Sequence, residues 1–320
     1  IAFKQIDNLD NLPIPDYSDY QWHEYSEQML PITGSRGCVR SCSFCDIHSH
    51  WKYKLRSGTS VAQEMITLAQ RHGLYHFMFT DSLVNGSLKE FRILCKILSE
   101  YNQTAKNKIA WGGQYIVRSG NQLNEEYWQN VANSGAIRLA IGVESGSDSV
   151  RLHMNKKFTN VDLDYTMQML EKYNIPCTFL MIVGYPTETL DDFEQTLAMF
   201  RKYQHLAGTI IKDVGLGNTL NILAGTPLYE QAEYHNLELD VNSINWHNYN
   251  HPELTLEERI RRLEKTAHEI TAMGYTVSDH NMSSIAYLKE NLDSLSQRLS
   301  KRIKIKQMIP PRRRCHFFAI

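Results

Sequence analysis

The chain has 320 residues, 42% of them hydrophobic and 22% charged, with a formal net charge of -1. That composition describes a globular protein with apolar material for a large core and excludes a disordered chain. The near-neutral balance argues against a general polyanion-binding surface, and no apolar run approaches the roughly 18 residues that a membrane span requires.

Six cysteines in this length do not make a secreted disulfide framework, and no charged-then-apolar leader precedes the first motif. The expected setting is a reducing, cytoplasmic one. The length suggests about two domains, or one α/β barrel with an appendage.

Residues 1–27 read as a polar and aromatic lead-in, because Asn11 to Tyr17 is too proline-broken for a helix. The first residue is Ile1, so an upstream domain is expected to be missing. From residue 28 to 230 short apolar runs alternate with helical periods, the pattern of a parallel sheet built by crossovers. Strands are expected at 29–33, 74–80, 108–111, 136–143, 177–183 and 218–223. Helices are expected from Ser60, where Ser60-Val61-Ala62-Gln63 has capping-box spacing, then over 88–98, 124–134, 159–170 and 190–203. Six such units fall short of the eight of a closed TIM barrel, which predicts an open partial barrel, (β/α)6. Residues 231–320 read as a helical C-terminal extension, with amphipathic segments at 254–273 and 285–303 and a basic tail that includes Arg312, Arg313 and Arg314.

The strands' C-terminal ends carry the polar residues. Strand one runs into the cysteines, strand two into Thr80-Asp81-Ser82 and strand three into Gly112-Gly113-Gln114. Strand four runs into Glu144-Ser145-Gly146 and strand five into Gly184-Tyr185-Pro186. Each alone reads as a turn or helix cap; together they mark one rim, where an α/β barrel keeps its active site.

The first of these ends is the most informative. Cys38, Cys42 and Cys45 fall at spacings of four and three residues in one glycine-containing loop, so three thiolates can be aimed at one centre. Three ligands are one fewer than a closed structural site needs. A 4Fe-4S cluster on three cysteines keeps one iron open, whereas zinc would recruit His48 or His50 as a fourth ligand. Cys95 and Cys177 lie in helix and strand patterns and read as core thiols, and Cys315 has no partner at ligand spacing.

The order Cys38-x-x-x-Cys42-x-x-Cys45, with Phe44 before the third cysteine, resembles the signature of the radical S-adenosylmethionine (SAM) enzymes. That resemblance implies a 4Fe-4S cluster whose open iron takes the amino and carboxylate groups of SAM. It also implies reductive cleavage to a 5'-deoxyadenosyl radical, and an electron donor such as flavodoxin or ferredoxin. By position it implies Asp81 near the methionine amino group and Glu144 or Ser145 at the ribose. Lys156, or Lys157, would stand at the carboxylate, Gly184 along the adenine and Phe44 near cluster and adenine. Leu12-Pro13-Ile14-Pro15-Asp16-Tyr17 is similar to a stretch that precedes the barrel in cobalamin-binding, class B methyltransferase-like members. Cobalamin use would need a domain absent from this chain. Two rivals stand beside this reading: a tRNA methylthiotransferase-like enzyme, and a zinc-dependent nucleic-acid-binding protein using the basic tail on RNA. The small-molecule or peptide substrate is not legible in the sequence.

Overall fold

The structure is a computed structural model, and it describes residues 6–292 apart from 26, 218 and 241–244. Six strands form one all-parallel sheet in sequence order: β1 (Leu30–Ile32), β2 (His76–Phe79), β3 (Ala110–Tyr115), β4 (Ala136–Glu144), β5 (Cys177–Met181) and β6 (Ile211–Gly215). The crossovers are α1 (Gly58–His72), α2 (Leu88–Thr104), α3 (Glu125–Asn133), α4 (Asp148–His153) with α5 (Asn160–Lys172), and α6 (Leu190–Lys202). This is the open partial TIM barrel, an α/β fold.

Two faces of the sheet have opposite characters. Leu139, Ile141 and Val143 of β4, with Phe77, Trp111 and Phe179 from its neighbours, are fully buried under the helices and make the main core. The alternate residues line the concave side. Register places Ala140, Thr178 and Asp213 in one row and Gly142, Leu180 and Gly215 in the row above. Glycine and alanine there keep a lumen open, because a strand sends alternate side chains to opposite faces. Arg138, Thr178 and Asp213 tie its lower end, with Thr178 Oγ1 donating to Asp213 Oδ2 at 2.8 Å.

The sixth strand corrects the sequence reading, which set it at 218–223. Lys212 and Asp213 interrupt the apolar pattern of β6, and a charge facing an open lumen is compatible with a strand although it hides the period. The apolar residues near 220 serve another purpose: Leu220 O accepts from Trp246 Nε1 at 2.9 Å, tying the chain after β6 to a second apolar cluster. Helix α1 also starts earlier than Ser60. Its cap is Ser57, whose hydroxyl accepts from Ser60 N at 3.1 Å, and Gly58 fits where a Cβ would lie 2.1 Å from Glu90 O on α2.

Beyond the barrel, α7 (Leu256–Ala272) falls within the first amphipathic segment read from the sequence, while α8 (Asp279–Glu290) starts six residues before the second, at 285–303, and overlaps only its beginning. Leu263, Ala267 and Ile270 of α7 are buried in the main core, each such Leu or Ile contributing about 1.5–3 kcal/mol. Arg262 reaches back to Glu188 Oε1 at 3.0 Å, both side chains buried, and so fastens α7 to the loop after β5. The basic tail and Cys315 lie outside the described residues.

Candidate active site at the cysteine loop

The cysteine loop is held by a tetrapeptide from the far side of the barrel. Between α4 and α5, residues 153–156 lie against residues 41–44. Ser43 N donates to Met154 O at 3.1 Å, and Asn155 Nδ2 donates to Ser41 O at 2.9 Å and to Ser41 Oγ at 3.0 Å. Tyr185, just past β5, places its hydroxyl 2.8 Å from Ser43 Oγ and 2.9 Å from His153 Nδ1. The turn Pro227–Glu230 adds Leu228 N, which donates to Ser43 O at 2.8 Å. A loop with this many backbone hydrogen bonds satisfied has one shape to adopt.

Phe44 packs on the second apolar cluster, which joins Val150, Met154, Tyr185, Leu228 and Trp246 beneath the loop. Lys156 Nζ stands 5.9 Å from the Phe44 ring centroid and 2.9 Å from Glu144 Oε1. Glu144 ends β4 with φ 66, left-handed for a non-glycine residue, at a point where the register with β5 shifts. That strained backbone turns its carboxylate toward Lys156, and it is a cost that folding elsewhere must offset. Gly142 makes the pair fit: a Cβ there would lie 2.5 Å from Glu144 Oε1 and 2.9 Å from Lys156 Nζ.

The three thiols feel one another. Burial pushes the Cys42 thiol up to about 11; the Lys156 ammonium opposes the rise, while Glu144, Cys45 and Cys38 add to it. Burial likewise raises Cys45, with Cys38 adding to it. Among the described residues no three His, Cys, Asp or Glu side chains converge closely enough to hold one metal ion. Three thiols on one loop match the donor set of a cluster that keeps one iron open, and are one ligand short of a closed zinc site. His50, one of the two histidines considered for zinc, lies 3.5 Å from Asp46 instead. The donor set fits a cluster, and iron would take the thiols as thiolates despite their burial.

The other residues singled out from the sequence are placed differently. Asp81 is buried and accepts from Ser35 Oγ at 2.5 Å and Gly34 N at 2.8 Å, so it braces the approach to the cysteine loop. It does not cap the next helix; Ser87 does. Ser145 Oγ lies 3.3 Å from Thr196 Oγ1 and accepts from Ser147 N, on the side of α6. Gly184, at φ 77, gives its N–H to Glu188 and faces Arg259, whose Cγ would be 2.9 Å from a Cβ. Lys157, the alternative to Lys156, sits at φ 61. The cysteines, Phe44, Glu144 and Lys156 thus share one locus, while Asp81 is tied to the segment before the cysteine loop, Ser145 to α6 and Gly184 to Glu188 and Arg259 of α7. Tyr185 and His153 escaped the sequence reading. The only signal was an aromatic between Gly184 and Pro186, and a lone histidine on a short helix.

Next to the loop, at the C-terminal ends of β1 and β2, opens a cavity of about 570 Å³ lined by Thr33, Thr80, Ser82, Arg36, Ile47 and Trp51. Its size suits a small-molecule ligand. The profile of the radical SAM superfamily matches residues 32–200, more than half of the chain, from β1 through α6. The chain belongs to the radical SAM superfamily. Its relatives include anaerobic magnesium-protoporphyrin IX monomethyl ester cyclase of Cereibacter sphaeroides, 23% identical over 209 residues, covering 63% of this chain and 33% of that protein. An uncharacterized methyltransferase of Pyrococcus horikoshii is 24% identical over 250 residues, covering 76% and 50%. The chain thus spans a third to a half of the length of these two curated relatives. Among solved structures, the radical SAM methyltransferase TsrM from Kitasatospora setae superimposes with a TM-score of 0.58 at 14% identity, covering 83% of this chain and 62% of that one. The cobalamin-dependent radical SAM enzyme OxsB gives 0.55 at 17% identity, covering 88% and 49%. These likenesses show the fold. No described helix is long and apolar enough to cross a membrane.

Proposed function

We propose that this chain is the catalytic barrel of a radical SAM enzyme in which Cys38, Cys42 and Cys45 hold a 4Fe-4S cluster. The observation that carries the reading is the meeting of those three thiols with the buried Lys156–Glu144 pair at the mouth of an open lumen. When bound, the cluster and SAM would supply one-electron cleavage of the sulfonium and a 5'-deoxyadenosyl radical for hydrogen abstraction. The protein's part is positional: an ammonium can take the SAM carboxylate and a carboxylate can take two hydroxyls, both inside a partly dry site where such contacts gain strength. Phe44 would press its ring against that assembly. Asp81, Ser145 and Gly184 would act through the backbone they fix.

The partners follow from the chemistry. An external low-potential donor of the flavodoxin or ferredoxin kind would deliver the electron, in a reducing, cytoplasmic setting. TsrM, a radical SAM methyltransferase, and OxsB, a cobalamin-dependent radical SAM enzyme, both bind cobalamin, which supports a methyl transfer or related radical reaction here, with cobalamin carried by a further domain of a longer protein.

Anaerobic incubation with SAM and a strong reductant tests the core of the reading. The iron-loaded wild type should release 5'-deoxyadenosine and Cys42→Ala should release none. A fully loaded wild type that leaves SAM intact would overturn it.

A further inference from the structure

Ser43 lies between the second and third cysteines, and its backbone is wholly committed: N–H to Met154 O, C=O to Leu228 N. Only its hydroxyl can still turn. That hydroxyl is 2.8 Å from the Tyr185 hydroxyl, which is 2.9 Å from His153 Nδ1, so three groups form one chain ending beside the cysteines. Tyr185 has no exposed surface, and its ring meets His153 edge-to-face at 5.5 Å; His153 in turn meets His235 at 4.9 Å.

The protons on such a chain are not independent. A serine or tyrosine hydroxyl donates once, and a neutral imidazole nitrogen either donates or accepts. Burial, with the neighbouring His235 adding to it, lowers the His153 pKa and so favours its neutral imidazole. In the tautomer with the proton on His153 Nε2, Nδ1 accepts and the Tyr185 hydroxyl donates to it. Ser43 is then left to donate to the phenol oxygen, so its hydrogen is engaged there.

We propose that Tyr185 is a positioning residue for the cluster loop: anchored by His153, it holds the Ser43 hydroxyl hydrogen off the cysteine and cluster sulfurs. This rests on the cluster reading above and goes beyond it. Hydrogen bonds to the sulfurs set an iron-sulfur potential, and each one favours the reduced, more negative cluster. A chain that withholds a donor keeps the potential low, as a strong reductant of SAM requires.

The experiment is redox titration followed by electron paramagnetic resonance, on anaerobically reconstituted full chain, with iron and sulfide counted. Tyr185→Phe should carry a normal cluster at a potential above wild type, because the freed hydroxyl turns to a sulfur. Ser43→Ala should stay near wild type, and the double variant should return to the Ser43→Ala value. If Tyr185→Phe does not accumulate, His153→Ala opens the chain from its other end and should raise the potential in the same direction. A loaded Tyr185→Phe at the wild-type potential overturns the inference, as does a rise that survives in the double variant, which would mark a packing effect. Wild type that takes up no iron and sulfide sinks the cluster reading, and this inference with it; an unmoved potential in loaded protein sinks this inference alone.

Discussion

Lys156 Nζ lies 2.9 Å from Glu144 Oε1, and the two side chains keep only 7% and 11% of their surface exposed. Each charge is sheltered by the other. Taking one away leaves its partner buried and uncompensated, at a cost of about 3–5 kcal/mol.

Glu144→Gln and Lys156→Met should therefore each lower stability in urea denaturation, and the double variant should lose less than the sum. Strict additivity would mean that the pair is not coupled.

Two glycines on either side of Glu144 should respond differently to alanine. At Gly146 the new methyl would lie 2.6 Å from Gln195 O and from Thr196 Cα, both backbone, so Gly146→Ala should destabilise by about 1–3 kcal/mol or more. At Gly142 its nearest neighbours are the ends of the Glu144 and Lys156 side chains. Gly142→Ala should fold with a smaller loss yet weaken SAM binding, measured by equilibrium dialysis on the loaded protein. Equal stability losses at the two sites would contradict this assignment of contacts.

Asp81 predicts a pH dependence. Burial raises its carboxyl to about 6, against the bonds from Ser35 and Gly34 that favour the ionised form. The native state then binds more protons than the unfolded chain between about pH 4 and pH 6. Stability from this group is full below that window and is lost as pH rises through it, by about 3 kcal/mol in all. Asp81→Asn should flatten the urea midpoint over this range. An unchanged slope would place the Asp81 titration elsewhere.

Arg262 and Glu188 make the fourth test. Burial raises the Glu188 carboxyl to about 7 even with the guanidinium beside it, and its two oxygens also receive Gly184 N. Arg262→Ala should cost about 3–5 kcal/mol and Arg262→Ala with Glu188→Gln less, in thermal or urea unfolding. If the single variant is silent, α7 is held by its apolar face alone.

What the sequence revealed depended on how local each signal was. The cysteine spacing is a property of eight consecutive residues, and helix caps such as Thr159 and Thr189 announce themselves within four, where both form capping boxes. Strand β6 was hidden because the exposed Lys212 and the lumen-row Asp213 break the apolar run, while the loop around Leu220 imitates one. The Glu144–Lys156 pair spans 12 residues and a change of direction; each partner stood out, but their union did not. Ser145 and Gly184 sit at the rim in sequence order, yet a hydroxyl and a glycine carry no clue to the side they face. The grip of residues 153–156 on 41–44 joins segments more than a hundred residues apart, beyond any periodicity.

That grip also bears on how iron would be acquired. Because Ser41 and Ser43 are fastened by hydrogen bonds to neighbouring polypeptide and not by metal, the loss of conformational freedom in this segment occurs as the barrel folds. Uptake of the inorganic group then meets a preformed socket with little ordering left to do. Stripping the iron with a chelator should bleach the protein while leaving its melting transition nearly in place, unlike a zinc finger, whose fold dissolves with its ion.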